Sequence, residues 1–201
     1  HVPTISDLDL DKGFLVLQDL GSTQYLTELE NDPESVTRLY SDALEALSKI
    51  HTRAPRVSEI IPSYSKELLM SEMELFREWL LKIHYKIELD DHENEILDDT
   101  FERLAQSALE QPQVFVHRDY HSRNLMVTTE NNPGVIDFQD AVIGPITYDL
   151  VSLLRDCYIA WPYEQVKHWV IQYFSRPEIA PLVRGVNINQ IIRWFDLMGV
   201  Q

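Results

Sequence analysis

The sequence predicts an α+β fold in which helices surround one small island of β-structure. Long segments repeat apolar residues at the spacing of a single helix face, which is typical of amphipathic helices. Short apolar runs bounded by turn residues gather in the middle of the chain and are typical of strands. With 201 residues and no internal repeat, the chain can form one large domain or two small lobes.

In the first third of the chain, the residue pattern predicts one strand, one long helix and a loop. The run GFLVLQDLG, residues 13–21, is typical of a buried strand that ends at a glycine. Asp32 and Pro33 follow as a helix N-cap and a first helical residue. Apolar residues then recur at helical spacing and predict a helix over residues 33–51, after which the prolines in residues 52–65 predict a loop.

The rest of the chain predicts five helices and three strands. Two helices are expected over residues 65–86 and 93–110. Their core-facing residues would be Leu69, Met73, Phe76, Leu80 and Ile83 in the first helix and Ile96, Leu97, Phe101, Leu104 and Leu109 in the second. A strand over 113–117 and a hairpin of residues 125–128 and 134–138 follow. The last helices are expected over residues 147–157, 163–174 and 187–198.

A dense polar cluster lies inside this β-island, in VFVHRDYHSRNLMV, residues 114–127. A metal site from His117, Asp119 and His121 is one explanation, but no second ligand cluster such as CxxC or HExxH accompanies it. A turn that satisfies its own backbone is another. The third is a phosphotransfer loop, because His117-Arg118-Asp119 and Asn124 match the pattern H-R-D-x-x-x-x-N.

The third explanation accounts for the spacing best. Phosphoryl transfer needs a carboxylate that orients the attacking hydroxyl and oxygen ligands that hold Mg²⁺ against the phosphates. Asp119 would be the base, while Asn124 and Asp137 would be the metal ligands. Asn124 starts one predicted hairpin strand and Asp137 ends the other, so we expect both side chains at the same end of the hairpin. A turn alone would not need Asp-Phe at that place.

The amino-acid composition limits the classes of molecule that the protein is expected to bind. The formal net charge of −16, from 33 acidic and 17 basic residues, argues against nucleic acid and anionic membranes. Cys157 is the only cysteine, which fits a reducing cytosol, and no apolar run is long enough to span a membrane. We therefore expect a cytoplasmic monomer that acts on a small molecule. Because residue 1 is His1 and no signal peptide follows, we expect the chain to begin inside a longer protein.

These motifs resemble the aminoglycoside phosphotransferase/choline kinase family, which is related to the eukaryotic-type protein kinases. The family pattern has three parts, and they occur here in order as His117/Asp119/Asn124, Ile136-Asp137-Phe138, and Gly144-Pro145 with Asp149-Leu150. Within that family, the segments HRDYHSRNLMV, ELFREWLL and IDFQDAVIGPITYDLVSLLRDCYIAWP are most similar to bacterial anomeric kinases of N-acetylmuramate and N-acetylglucosamine.

The resemblance implies a protein-kinase-like fold, the cofactors ATP and Mg²⁺, and a role for each matching residue. Residues 1–20 would be the end of the N-lobe and the hinge, and residues 21–201 the C-lobe. The implied roles are Asp119 as base, Asn124 and Asp137 as magnesium ligands, Gln18 and Leu20 as adenine-binding backbone, and His117 and Asp149 as structural support.

The sugar would lie beside Asp119. Aromatic faces and paired polar groups suit a sugar, and the candidate walls are Glu74, Trp79, Tyr120, His121, Arg123, Arg155, Asp156, Tyr158 and Trp161. An arginine could bind the lactyl carboxylate of N-acetylmuramate in a bidentate manner. For each of these residues alone, core packing or pairing with the many local acids is an equal explanation.

The sequence also departs from a complete kinase. No two of its six glycines form G-x-G-x-x-G, and no lysine lies in a V-A-I-K-like strand. We therefore expect the N-lobe to be largely missing and the chain alone to transfer phosphate poorly. An aminoglycoside phosphotransferase remains an alternative, although Arg118, His121 and Arg123 suit cationic substrates poorly. A non-catalytic nucleotide-binding protein is the other alternative.

Overall fold

A computed structural model describes residues 1–54 and 60–201 of the chain. Residues 55–59, part of the predicted loop, lie outside the described residues. Within the described ranges, helices pack around one core, and three separate two-stranded antiparallel sheets lie along the chain. No helix in these ranges is long and apolar enough to cross a membrane.

Along the chain, groups of short strands alternate with groups of helices. They are β1 (Ile5–Asp9), β2 (Phe14–Leu17), α1 (Tyr25–Asn31), a 3-10 turn (Pro33–Ser35), α2 (Val36–Arg53), α3 (Lys66–Leu75), a π-helical extension of α3 (Phe76–Tyr85), α4 (Asp91–Leu109), β3 (Gln113–Val116), β4 (Leu125–Met126), β5 (Gly134–Val135), β6 (Val142–Pro145), α5 (Tyr148–Leu154), α6 (Tyr163–Phe174), a 3-10 turn (Ala180–Val183) and α7 (Ile188–Met198).

The first two strands form an exposed ribbon. β2 was predicted as a buried strand, and this prediction is wrong, because all four of its residues are exposed. The strand pairs only with β1, which the sequence did not predict, and no element of the described chain covers either face of the pair. The ribbon leads into the segment 18–21, which borders the candidate site described below.

Helix α2 forms the centre of the core and confirms the helix predicted over 33–51. Asp32 caps the preceding turn, since its side chain accepts a hydrogen bond from the backbone of Glu34. Leu39, Tyr40 and Leu47 are fully or almost fully buried, as the helical spacing predicted.

Helix α3 and its π-helical extension match the predicted span of 65–86, but only two of the five predicted core-facing residues are buried. Leu69 and Met73 are buried, whereas Phe76, Leu80 and Ile83 are exposed. The wider turn of a π-helix rotates successive side chains away from the face that an α-helix would continue. The extension therefore leaves the core instead of packing on it, and none of its residues is buried.

Helix α4 begins with a capping box between Asp90 and Glu93, in which each side chain accepts the other residue's backbone N–H. Phe101 is buried, but Ile96 and Leu109, which were predicted to face the core, are exposed. The two helix ends reach beyond the packed centre, so apolar spacing there does not lead to burial.

Two short sheets frame the polar cluster. The predicted hairpin forms, with Leu125 opposite Val135, but it is shorter than predicted. The strand β6 was not predicted. It pairs with β3 so that Val114 lies opposite Gly144. A Cβ at residue 144 would lie 3.2 Å from the Tyr64 side chain, so a glycine permits this close approach. The helices α5, α6 and α7 confirm the three helices predicted near the C-terminal end.

Candidate active site

The loop that follows β3 is anchored by a buried carboxylate. Asp149, in the first turn of α5, is fully buried. Its Oδ2 accepts the backbone N–H of His117 at 2.7 Å, and its Oδ1 accepts that of Arg118 at 3.0 Å. Hydrogen bonds to a charged acceptor are stronger than neutral ones, so these two bonds fix the path of the chain into the loop.

His117 connects the loop to the strand on its other side. The ring is 1% exposed, and its Nε2 lies 3.0 Å from the carbonyl oxygen of Ile136. The backbone N–H of Asp119 donates to its Nδ1 at 3.3 Å. Nδ1 is thus the acceptor, and Nε2 carries the proton that Ile136 accepts. Both ring nitrogens of His117 therefore have partners within the protein.

Arg118 has a conformation that few non-glycine residues adopt, with φ of +77°. Its guanidinium donates to the Glu72 carboxylate of α3 and lies 5.7 Å from the centroid of the Tyr64 ring. The Tyr64 hydroxyl also donates to Glu72. Burial lowers the pKa of Arg118, but the charge of Glu72 and the neighbouring Tyr148 and Tyr64 outweigh burial. The pKa is therefore raised, and the guanidinium stays positively charged.

Glu72 was not identified from the sequence, although a signal existed. It lies three residues after the buried Leu69 and immediately before the buried Met73, so helical spacing places it at the margin of the buried face. A carboxylate in that position needs a partner. The sequence alone does not show that the partner is the arginine of a distant loop.

The structure brings Asp119, Asn124 and Asp137 together. Asn124 Nδ2 donates to the backbone carbonyl of Asp119 at 3.1 Å and lies 3.4 Å from Asp137 Oδ2. The hairpin brings Asn124 and Asp137 close together, because the N–H of Ile136, the residue before Asp137, donates to the carbonyl of Asn124 at 3.2 Å. Asp137 has φ of +70°, which turns its carboxylate back toward the loop, and Gln139 donates to its Oδ1 at 2.8 Å.

A cleft of about 580 Å³ lies between Asn124 and Asp137 on one side and residues 18–21, which follow β2, on the other. Gln18 and Leu20 line one wall, and Asn124 and Asp137 line the other. The Gln18 N–H and side chain bond to Thr4. Within residues 1–54 and 60–201, the carbonyl of Gln18 and the N–H of Leu20 have no hydrogen-bond partner and are available to a ligand.

The donor set facing the cleft fits Mg²⁺ better than a transition metal. The amide nitrogen of Asn124 donates to the Asp119 carbonyl and lies 3.4 Å from Asp137 Oδ2, so Oδ1 is the Asn124 atom that could bind a cation. Oxygen ligands of this kind suit Mg²⁺, which keeps several waters. No group of three or more His, Cys, Asp or Glu side chains in the described chain could hold a metal. The site considered for His117, Asp119 and His121 is therefore not formed.

Four of the predicted sugar-site residues lie together beside the loop. The rings of His121 and Tyr158 meet edge to face at 5.6 Å. Arg123 lies over the same Tyr158 ring, 4.9 Å from its centroid, and its Nη1 is 3.3 Å from the hydroxyl. Asp156 is buried and accepts the backbone N–H groups of Ser122 and Tyr158, each at 2.9 Å. Asp156 thus connects the loop to the segment that carries Tyr158.

Two charged candidates are placed elsewhere. Arg155 donates to the Asp196 carboxylate of α7 and lies over the Phe195 ring at 4.9 Å. Glu74 forms an ion pair with Arg77 at 3.5 Å. Residues two apart on a helix point in different directions, so Glu74 faces away from the loop that Glu72, two residues earlier, contacts.

The aromatic candidates also differ from expectation. Tyr120 is fully buried, and its hydroxyl donates to the carbonyl of Ala43 at 2.8 Å, so its expected place on the sugar wall is wrong. Trp161 donates to the Tyr40 hydroxyl at 2.6 Å and packs on the core. Trp79 is 62% exposed on the π-helical extension. Of the aromatic candidates, only Tyr158 joins the cluster beside the loop.

Sequence comparison matches residues 2–182 to the family model described as "Phosphotransferase enzyme family". A protein of Pseudomonas putida named N-acetylmuramate/N-acetylglucosamine kinase is 41% identical over 201 residues, which is all of this chain and 58% of that protein. A protein of the same name from Neisseria meningitidis is 40% identical over 202 residues, with 60% of its length covered. The chain thus spans about three-fifths of the relatives it matches.

Solved structures share the fold at lower identity. The GDP and kanamycin complex of an aminoglycoside 2'-phosphotransferase has a TM-score of 0.65 at 18% identity, over 99% of this chain and 65% of that one. A choline kinase from Streptococcus pneumoniae has a TM-score of 0.53 at 15% identity, over 99% and 75%. These likenesses confirm the predicted protein-kinase-like, helix-rich α+β fold. By the match over residues 2–182, the chain belongs to the phosphotransferase enzyme family.

Proposed function

We propose that this protein is a kinase that uses ATP and Mg²⁺ to phosphorylate the C1 hydroxyl of N-acetylmuramate or N-acetylglucosamine, as a cell-wall recycling enzyme would. The observation that carries the proposal is the 41% identity along the whole chain to a protein named for these two sugars. The proximity of Asp119 to Asn124 and Asp137, the last two of which line a cleft, supports it, since phosphoryl transfer needs a base and oxygen ligands together.

The positions of the site residues support the following roles. Asp119 would orient the attacking sugar hydroxyl and accept its proton. Bound ATP and Mg²⁺ would supply the phosphoryl group and neutralise its charge. Asn124 Oδ1 and the Asp137 carboxylate would hold the ion, and the Gln18 carbonyl and the Leu20 N–H would hold adenine across the cleft. His117 and Asp149 would keep the loop in position without touching substrate.

The domain proposal rests on the same comparison. We propose that residues 1–20 end a smaller lobe and form the hinge, while residues 21–201 form the larger lobe. The chain spans 58% of the P. putida relative, and the sequence has neither a glycine-rich phosphate loop nor a V-A-I-K-like lysine. Residues 1–201 alone would accordingly transfer phosphate poorly. We also propose that the protein is a monomer and that it acts in the cytoplasm.

A nucleotide-consumption assay of the full-length protein tests the function. N-acetylmuramate, N-acetylglucosamine and kanamycin are offered separately, and free reducing ends are counted after the reaction. Phosphorylation at C1 blocks the reducing end, so we expect consumption of ATP to match the loss of reducing ends with the two sugars. Consumption only with kanamycin would instead identify an aminoglycoside phosphotransferase. Nucleotide binding without turnover of any acceptor would identify a non-catalytic protein.

A further inference from the structure

Arg123 differs from Arg118 and Arg155 in its ion pairs. Acidic residues outnumber basic ones by 33 to 17, so carboxylates are abundant for pairing. Arg123 nevertheless has no ion pair with any residue in the described ranges, and its side chain is exposed. The other loop arginine, Arg118, bonds to Glu72, and Arg155 bonds to Asp196. Of Arg123 and Arg155, the two arginines considered for substrate binding, only Arg155 has an ion pair within the described residues.

Its position is fixed by neighbours on two sides. The guanidinium lies over the Tyr158 ring at 4.9 Å, and one nitrogen donates to the Tyr158 hydroxyl at 3.3 Å. The Asp156 carboxylate bonds to the backbone on both sides of this contact, at Ser122 and at Tyr158. A stacked guanidinium keeps its edge free for a planar, bidentate acceptor. Tyr158 thus holds the guanidinium of Arg123 in an orientation that suits an anionic ligand.

A second polar group beside this edge lacks a partner. His121 Nδ1 is buried and has no hydrogen bond within the described chain, and the His121 ring meets Tyr158 edge to face at 5.6 Å. Buried polar atoms are rarely left unpaired without a reason. His121 and Arg123 flank Ser122 in the loop that runs from Asp119 to Asn124, so a ligand contacting both would lie next to the proposed base.

We propose that Arg123, stacked on Tyr158, binds the carboxylate of the sugar substrate and determines the preference for N-acetylmuramate over N-acetylglucosamine. The two sugars differ by the lactyl carboxylate that the first carries and the second lacks. This inference rests on the proposed function, since it assigns the substrate carboxylate to one residue of the same site. Arg155, the other arginine considered, is bonded to Asp196 and does not face the loop cluster.

The test compares both sugars with the full-length wild type, Arg123→Gln and Arg123→Lys. We expect Arg123→Gln to lower kcat/KM for N-acetylmuramate on the order of 10- to 100-fold, the range of a charge-assisted hydrogen bond. For N-acetylglucosamine the change should stay within about twofold, because an uncharged sugar makes no such bond. Arg123→Lys should restore only part of the loss, since an ammonium cannot bond in a bidentate manner.

Arg155→Gln is the matched control, because it removes the same charge from an arginine that is already paired. It should leave the ratio of kcat/KM for the two sugars unchanged. An equal loss on both sugars in Arg123→Gln, or no loss on either, overturns the inference while the proposed function stands.

Calorimetric titration with each sugar separates the remaining outcomes. Tighter binding of N-acetylmuramate by the wild type, lost in Arg123→Gln, supports the carboxylate site even if neither sugar is phosphorylated. In that case the proposed function fails and the inference survives. Equal affinity of the wild type for the two sugars contradicts the role of Arg123. If neither sugar binds or is phosphorylated, both the role of Arg123 and the proposed function are wrong.

Discussion

The Asp149 carboxylate accepts the backbone N–H of His117 at 2.7 Å, and both residues are almost completely removed from solvent. A buried carboxylate is costly unless hydrogen bonds satisfy it, and here two backbone N–H groups of one loop do so. The loop is thereby joined to helix α5, which packs in the core. The stability of the fold and the position of Asp119 thus depend on the same carboxylate.

Asp149→Asn should therefore destabilise the protein by about 2–4 kcal/mol, measured by urea unfolding. An amide has one acceptor oxygen instead of two and turns an N–H₂ group toward a backbone N–H. Asp98→Asn is the control, because Asp98 forms an exposed pair with Arg77 whose loss should cost less than about 1 kcal/mol. Equal stability of the two variants would contradict the anchoring role of Asp149.

Asp119→Asn should lower kcat by about 10²- to 10⁴-fold, the usual contribution of a general base. The affinity for ATP should change little, since the proposed role of the residue concerns the sugar hydroxyl and not the nucleotide. Steady-state kinetics with N-acetylglucosamine and a nucleotide titration measure the two effects separately. Asp99→Asn, an exposed change on α4, should leave both values unaltered. An unchanged kcat in Asp119→Asn would remove this residue from the proposed role.

The local part of the fold and site could be predicted from the sequence. Asp32 and the apolar spacing after it specify α2, because caps and helix faces depend on residues close in the chain. The same holds for Asn124 and Asp137, which one short hairpin brings within 3.4 Å of each other. Contacts of this kind need only the correct pairing of neighbouring segments.

Contacts between distant segments could not be predicted. β6 pairs with β3 across the whole loop and hairpin, and the strand is too short to show an apolar pattern of its own. The partner of Arg118 is Glu72, 46 positions away, and periodicity cannot identify such a pair. Burial was predicted wrongly for β2 and for Phe76, because an apolar run does not reveal whether another element covers it.

Glu72 and Arg118 should be energetically coupled. Arg118 has φ of +77°, and such a conformation persists where its surroundings hold it. In a double-mutant cycle of Glu72→Gln and Arg118→Gln, we expect a coupling free energy of about 1–3 kcal/mol in unfolding. Each single change should also lower kcat, because Asp119 follows Arg118 directly. The exposed pair of Lys66 and Glu102 should show coupling below about 1 kcal/mol, and a similar value for Glu72 and Arg118 would refute the coupling.

Asp137→Asn should raise the Mg²⁺ concentration needed for half-maximal activity by about tenfold or more. The change removes a full negative charge from the proposed two-ligand oxygen site, and hard cations depend on such charge. Activity of the wild type should be lost in EDTA and return with added Mg²⁺. Asp140→Asn is a matched control from the same segment, because Asp140 has no hydrogen bond to Asn124, whereas Asp137 Oδ2 lies 3.4 Å from it. If both variants required the same Mg²⁺ concentration as the wild type, Asp137 would not be a ligand. A shift in Asp137→Asn alone would locate the ion between the hairpin and the segment 18–21, where the cleft lies.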